Sequence, residues 1–166
     1  AFAPVLSALD AGDESPCFSA PDDKGKDWSA CDFLDKKNVI VYFYPAAMTG
    51  GCTKQACGFS ENLQAFNKVD CAVIGVSKDS VAKHDKFKAK YGLQFPLASD
   101  ETGDICERYG VWKEKSMYGK TYMGIERTSF LIDGDGIIRK IWNKVKVDGH
   151  IEDVLSAIRE LSGKTA

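Results

Sequence analysis

Long apolar runs are missing from this sequence. The longest, Val39 to Tyr44, is far shorter than the roughly 18 residues that mark a transmembrane helix, so no membrane partner is expected. Histidine is scarce. Only His84 and His150 occur, far from the cysteines discussed below, and no metal or other cofactor is expected. Neither charge sign dominates: 22 Lys and Arg stand against 24 Asp and Glu, interleaved along the chain, for a formal net charge of −2. That balance argues against nucleic acid as a partner. Cysteine is too sparse, at six in 166 residues, for a small disulfide-stapled scaffold, and reduced thiols with a redox role are expected instead. Repeats, low-complexity tracts and linkers are absent. Ala1-Phe2-Ala3-Pro4 has neither the basic stretch nor the long apolar stretch of a signal peptide. It resembles part of the motif at plastid-import cleavage sites in algae with secondary plastids, so the compartments expected are intracellular, plastid or cytoplasm.

Enough apolar material is present, 44% of residues, to build one core, and a single domain over 1–166 is expected, with about 1–8 as a loose extension. Turn residues between Leu9 and Lys26 predict short strands or a hairpin. Asn38 to Tyr44 is β-branched and aromatic at nearly every position, the pattern of a strand buried on both faces, and Pro45 ends it. Apolar residues at Ala56, Phe59, Leu63 and Phe66 then recur at helical spacing, predicting one helix from Cys52 to Asn67. Cys71 to Ser77 reads as a second core strand. Ser80 caps the next helix and Gly92 closes it. A short strand at Phe95 to Ala98, a short helix at Gly103 to Tyr109 and a hairpin of Arg127 to Asp133 with Gly136 to Trp142 follow. Asp148 is expected to cap a final helix that buries Ile151, Val154, Leu155, Ile158 and Leu161. The order β-α-β-α, hairpin, helix implies a mixed central sheet with helices on both faces, and it resembles the thioredoxin fold with an N-terminal hairpin extension.

Cys52 follows a core strand and the glycines Gly50 and Gly51, at the start of a helix. A helix N-terminus presents free N–H groups and the positive end of its dipole, and both favour a thiolate over a thiol. Thiolate is the attacking species, and glycines let a small substrate approach the backbone, so Cys52 is the candidate nucleophile. Cys57 lies five residues on. Helix geometry separates the two Cα atoms by about 8.6 Å. A disulfide needs them within about 7 Å, so pairing requires the first turns to unwind. The spacing also excludes a Cys-x-x-Cys redox motif and the usual zinc knuckle.

Pro45-Ala46-Ala47-Met48-Thr49-Gly50-Gly51-Cys52 matches the Pro-x-x-x-Thr-x-x-Cys signature of peroxiredoxins. With Cys57, it resembles the atypical two-cysteine branch called peroxiredoxin Q or bacterioferritin comigratory protein. Further likeness is carried by Val41 to Pro45, Gly51 to Lys54, Gly75 to Ser77, Phe95 to Leu97, Tyr109 to Trp112 and Met123 to Arg127. The resemblance implies a peroxidatic Cys52, a resolving Cys57, Thr49 and Arg127 around the peroxide, and Pro45 shaping the pocket. It implies hydrogen peroxide and alkyl hydroperoxides as substrates, thioredoxin or a glutaredoxin as reductant, and a monomer. Departures from the branch sit at Ala46, Ala47 and Gly50, where charged residues and a proline are common.

Cys17, Cys31, Cys71 and Cys106 are expected to be small packed hydrophobes, with Cys106 the rival for the resolving role. Trp112, Tyr118 and Tyr122 are expected in packing and loops, and a plain ion pair with Glu126 is the competing role for Arg127. Two rivals from other classes are a thioredoxin-fold copper-binding protein, which needs a histidine near the two cysteines, and a non-catalytic thiol redox sensor.

Overall fold

A computed structural model describes residues 9–29 and 37–162 of the chain. The expected loose extension over 1–8 and Cys31 lie outside the described residues. The elements run β1 (Ser19–Pro21), β2 (Asp27–Ser29), β3 (Asn38–Phe43), α1 (Gly50–Glu61), α2 (Leu63–Lys68), β4 (Cys71–Ser77) and α3 (Val81–Tyr91). They continue with β5 (Leu97–Ser99), α4 (Asp104–Arg108), β6 (Trp112–Met117), β7 (Lys120–Ile125), β8 (Thr128–Ile132), β9 (Ile138–Trp142) and α5 (His150–Ser162).

β3 lies at the centre of a five-stranded sheet of order β5-β4-β3-β8-β9. It pairs in parallel with β4 and antiparallel with β8, so the sheet is mixed, as the order of elements predicted. Parallel neighbours need long crossovers, supplied by α1 and α2 between β3 and β4 and by α3 between β4 and β5. Alternate residues of β3 serve two different cores. Ile40 and Tyr42, with Tyr44 just beyond the strand, pack with Ala56 of α1, Phe66 of α2, Phe87 of α3 and Val154 of α5. Val39, Val41 and Phe43 pack on the other face with Ile105 and Cys106 of α4, Phe18 beside β1, and Phe130 of β8. Burial on both faces is why this stretch shows no polar alternation.

Several local signals act as expected. Ser80 accepts a hydrogen bond from the Lys83 amide (3.2 Å) at the start of α3, and Gly92 ends that helix in the left-handed conformation at φ +61°. The N-terminal turns form an antiparallel hairpin of β1 and β2, which extends to Ser29. Other readings are corrected. The helix expected from Cys52 to Asn67 is two helices, because the Asn62 side-chain amide donates to the Gly58 carbonyl (2.8 Å) and competes with the helical ladder. α5 begins at His150 after Gly149 (φ +79°), while Asp148 pairs with Lys54 instead of capping the helix. Leu161 is exposed near the end of α5, beyond the buried stripe of Ile151, Val154, Leu155 and Ile158. Trp112 to Ile125 forms a second hairpin, β6 with β7, where loops were expected. Its turn is Tyr118-Gly119, both at positive φ, which suits a two-residue hairpin loop. Cys17 is disulfide-bonded, not a packed thiol, with its partner outside the described residues. It stands just before β1, beside Phe18 and Ala20 of the second core.

Both histidines are buried and hydrogen-bonded. His84 contacts the hydroxyls of Tyr44, Ser77 and Ser99, and His150 contacts Ser129 (2.9 Å) while its ring meets Phe59 and Trp142 edge-on. Burial pushes each imidazole down from 6.5 to about 4. Between those values the unfolded chain binds protons that the folded chain refuses. Stability is therefore fully present above pH 6.5 and falls as pH drops towards 4, by an amount on the order of 3 kcal/mol per imidazole. Urea midpoints measured from pH 7 to pH 4 should decline steeply across this window. Replacing His150 with Gln should flatten the decline.

Candidate active site

The site begins where the β3 ladder stops. Tyr44 still donates its amide to the Val76 carbonyl (3.1 Å), but Pro45 has no N–H to continue the pairing. The chain turns through Ala46 to Thr49. Ala47 is buried and donates its amide to Asp79 Oδ2 (2.7 Å), Met48 sits in the left-handed region at φ +68°, and the Thr49 hydroxyl donates to the Ala46 carbonyl (3.0 Å). Thr49 is the N-cap of α1, and its carbonyl accepts the first helical bond from Thr53 (2.9 Å). Cys52 is therefore the third residue of α1, within the turn whose amides have no helical partner.

Cys52 is 1% exposed, and its sulfur meets the Arg127 guanidinium. Arg127 Nη2 donates to Cys52 Sγ at 3.3 Å, and Nη1 of the same guanidinium donates to Gln55 Oε1 at 2.6 Å. Gln55 is buried one helical turn after Cys52, on the same face of α1, so it fixes the plane of the guanidinium against the sulfur. Gly51 leaves room for this approach, since a Cβ there would lie 3.3 Å from Arg127 Nη2. Glu126 pairs with Lys113 (2.9 Å), not with Arg127. Gln55 was absent from the residues selected by motif. Its signal was its place three positions after Cys52, on the same helical stripe as the sulfur.

Unpaired polar atoms collect on these same elements. Tyr42 OH, Thr53 Oγ1 and Gln55 Nε2 are buried with no hydrogen-bond partner. Burial and neighbouring acidic groups hold the Tyr42 phenol in its protonated form, with Cys52 and Arg127 within electrostatic reach. Buried orphan donors cost stability and are rare outside functional sites.

Of the residues expected at the site, the structure brings Cys52 and Arg127 into contact, and places Pro45 and Thr49 on the exposed part of the adjoining turn. Cys57 lies on the same unbroken helix, half-buried, with its thiol pushed up by burial and by Glu61. It lines a cleft of about 300 Å³ between α1 and the start of α5, beside Lys54, Asp148 and Ile151. Cys106 belongs to the opposite core, fully buried, with its thiol pushed up by burial and by Asp100. Cys71 is buried and pushed up to about 12. Among the described residues, no group of three or more His, Cys, Asp and Glu side chains is spaced to hold a metal ion. His84 and His150 are both hydrogen-bonded to hydroxyls.

A family model for the AhpC/TSA family matches residues 11–141. Peroxiredoxin Bcp of Escherichia coli is 46% identical over 155 residues, covering 93% of this chain and 99% of that protein. Peroxiredoxin Bcp of Bacillus subtilis is 41% identical over 156 residues, covering 94% and 99%. A structure of the Xanthomonas campestris bacterioferritin comigratory protein, described with its alkyl peroxide reduction activity, superposes with a TM-score of 0.85 at 37% identity, covering 92% of this chain and 99% of that one. A buried cysteine in the first turn of a helix, held against a guanidinium on a thioredoxin-fold sheet, defines a thiol-dependent peroxidase of the peroxiredoxin class. The chain belongs to the AhpC/TSA family, among relatives named peroxiredoxin Bcp and peroxiredoxin Q.

The guanidinium's two anchors predict graded losses. Arg127→Met should slow the second-order reaction with peroxide by about 10²-fold, because the charge and the donor beside the sulfur both disappear. Gln55→Leu keeps the charge but frees its plane, and about a tenfold loss is expected. Stopped-flow measurement of peroxide consumption under single turnover distinguishes the two.

Proposed function

We propose that Cys52 is the peroxidatic cysteine of this peroxidase, with Cys57 resolving, Arg127 and Thr49 holding the peroxide oxygens, and Pro45 bounding the site. The observation that carries this reading is the 3.3 Å contact between Arg127 Nη2 and Cys52 Sγ, with the guanidinium's other arm fixed by Gln55. In the first step the Cys52 thiolate attacks the terminal oxygen of the peroxide and the O–O bond breaks. Sulfur becomes a sulfenic acid, and the departing oxygen takes up one proton and leaves as water or an alcohol. Arg127 is placed to donate to oxygen as negative charge moves onto the leaving group. Thr49 reaches the same oxygens once its hydroxyl turns from the Ala46 carbonyl.

In the second step the Cys57 sulfur attacks the sulfenic sulfur. An S–S bond forms, and the hydroxyl leaves as water with the thiol's proton. Both cysteines lie within α1, about 8.6 Å apart at Cα by helix geometry, so this step unwinds the first turns. In the third step an external dithiol, of the thioredoxin or glutaredoxin type, reduces the disulfide through a mixed disulfide and is itself oxidised. The substrates are hydrogen peroxide and alkyl hydroperoxides, and the working unit is one domain acting as a monomer. The activity described for the Xanthomonas campestris relative supports the alkyl substrates. Cys106 is disfavoured as resolver by its burial on the far side of the sheet.

Cys52→Ser should abolish turnover with thioredoxin and its reductase. Cys57→Ser should consume about one equivalent of peroxide to form sulfenic acid on Cys52, and in excess peroxide a further equivalent should over-oxidise it to sulfinic acid, seen as two added oxygens by mass spectrometry. Amide exchange across Thr53 to Ser60 should be slow in the reduced protein and fast in the disulfide form, with β3 slow in both. Equal protection in the two forms, or a peptide map joining Cys52 to Cys106, refutes Cys57 as resolver.

A further inference from the structure

We propose that Asp79 is a positioning residue for the reaction: it clips the turn before Cys52 into its attacking arrangement, and so sets the balance between attack on peroxide and the unwinding that follows. The proposal rests on Cys52 being the attacking sulfur and on Cys57 being its resolver.

The turn from Pro45 to Thr49 has little to hold it. Pro45, Met48 and Thr49 are exposed, and Met48 carries a left-handed backbone that a side chain with a Cβ rarely adopts. Ala47 is the buried member, and its amide goes neither to a strand nor to water but to Asp79 Oδ2 at 2.7 Å. Asp79 lies outside the turn, between the end of β4 and the cap of α3. The same oxygen accepts from the Ser77 hydroxyl (2.6 Å), and Oδ1 pairs with Lys83 (3.1 Å). These bonds keep the carboxyl below its usual range despite its partial burial.

The other end of the turn is held by the same cluster. Tyr44 OH lies 2.6 Å from His84 Nε2, Ser77 Oγ lies 2.9 Å from that nitrogen, and Ser99 Oγ lies 2.8 Å from Nδ1. A count of protons orders the cluster. The Asp79 carboxylate can only accept, so it takes the single proton of Ser77. His84 is neutral because it is buried, so one ring nitrogen carries a proton and the other accepts. The tautomer with Nδ1–H donating to Ser99 leaves Nε2 to accept from Tyr44, so the protons of Tyr44 and Ser77 both have acceptors. Residues on both sides of Pro45 and Ala46 are thereby fastened to β4 and α3.

Releasing the clip has opposite consequences for two steps. Attack needs the turn held, so that α1 starts at Gly50 with Cys52 against Arg127. Resolution needs the same turn to rearrange as α1 unwinds. Weakening the acceptor should slow the first and speed the second, whereas a general loss of structure slows both.

Single-turnover kinetics with hydrogen peroxide test this in Asp79→Asn. Sulfenic acid formation on Cys52 should slow by about tenfold, and the following disulfide step should quicken severalfold. The Ala47 amide should exchange faster with solvent in the reduced protein. Ser77→Ala, which removes one donor to the carboxylate and leaves the clip in place, should shift both rates in the same directions by about threefold, and it carries the test should Asp79→Asn fail to fold. Wild-type rates in a folded variant, or both rates falling together, overturn the proposal. Turnover by Cys52→Ser, or a wild-type disulfide yield in Cys57→Ser, would instead overturn the assignment of the cysteines on which it rests.

Discussion

Antiparallel pairing of β3 with β8 is the constraint on which the site depends. Phe43 lies opposite Thr128, so the residue after one and the residue before the other, Tyr44 and Arg127, are delivered to the same edge of the sheet. α1 then starts from the loop that follows Tyr44, and the guanidinium meets the sulfur of its first turn. A slip of one residue in this register would turn every side chain of β8 to the opposite face and carry Arg127 away with it. Both strands are buried on both faces, so such a slip would also send each core the side chains that fit the other. Burial of Val, Ile, Phe and Tyr in the sheet thus fixes the distance between a cation and a thiol 75 positions apart in sequence.

What was legible in the sequence was local. The central strands announced themselves by continuous apolar residues, α3 by Ser80 and Gly92, and the candidate nucleophile by two glycines and a cysteine just after a strand. Arg127 was reached through resemblance, since nothing near it in sequence speaks of a sulfur. Gln55 and Asp79 were missed for a related reason: each is an ordinary polar residue on a helix or at a strand end, and its meaning lies in a partner 72 or 32 positions away. The β6–β7 hairpin was hidden because it packs little, so its side chains have no inside and outside to alternate between. Asp148 has the composition of a helix cap, but Gly149 supplied the turn and left its carboxylate to Lys54. The disulfide at Cys17 could not be inferred from average cysteine density, because density describes the chain as a whole and not any one cysteine.

The molecule divides its labour between parts that must stay and parts that must move. Strands β3, β4 and β8 have their backbone groups committed to ladders and their side chains to two cores. The turn from Pro45 to Thr49 has a few discrete tethers instead of a ladder, and α1 has no acidic residue in its first turn and no side-chain cap. Such a helix start is held by its buried face and by the Arg127 contacts to Cys52 and Gln55, with no cap of its own. Gly58 adds a close seat for Ile151 of α5 on the far half of α1. The boundary between the two halves falls close to Cys57.

Placing the cysteines on different sides of the sheet has a further effect. Cys52, Cys57 and Cys71 border one core and Cys106 lies in the other, with β3 and its neighbours as a wall between them. A wall of hydrogen-bonded backbone cannot be crossed by the local openings that a helix turn undergoes. Cys106 is thereby excluded from the exchange chemistry of the active side unless the whole sheet comes apart. The number of wrong bonds open to a chain carrying several thiols is set by such compartments, and among the described residues the side that holds Cys52 also holds Cys57, half-buried, and Cys71, which burial keeps as an inert thiol. Fidelity of the oxidation cycle is in this sense a property of sheet topology, written into the fold before any reductant arrives.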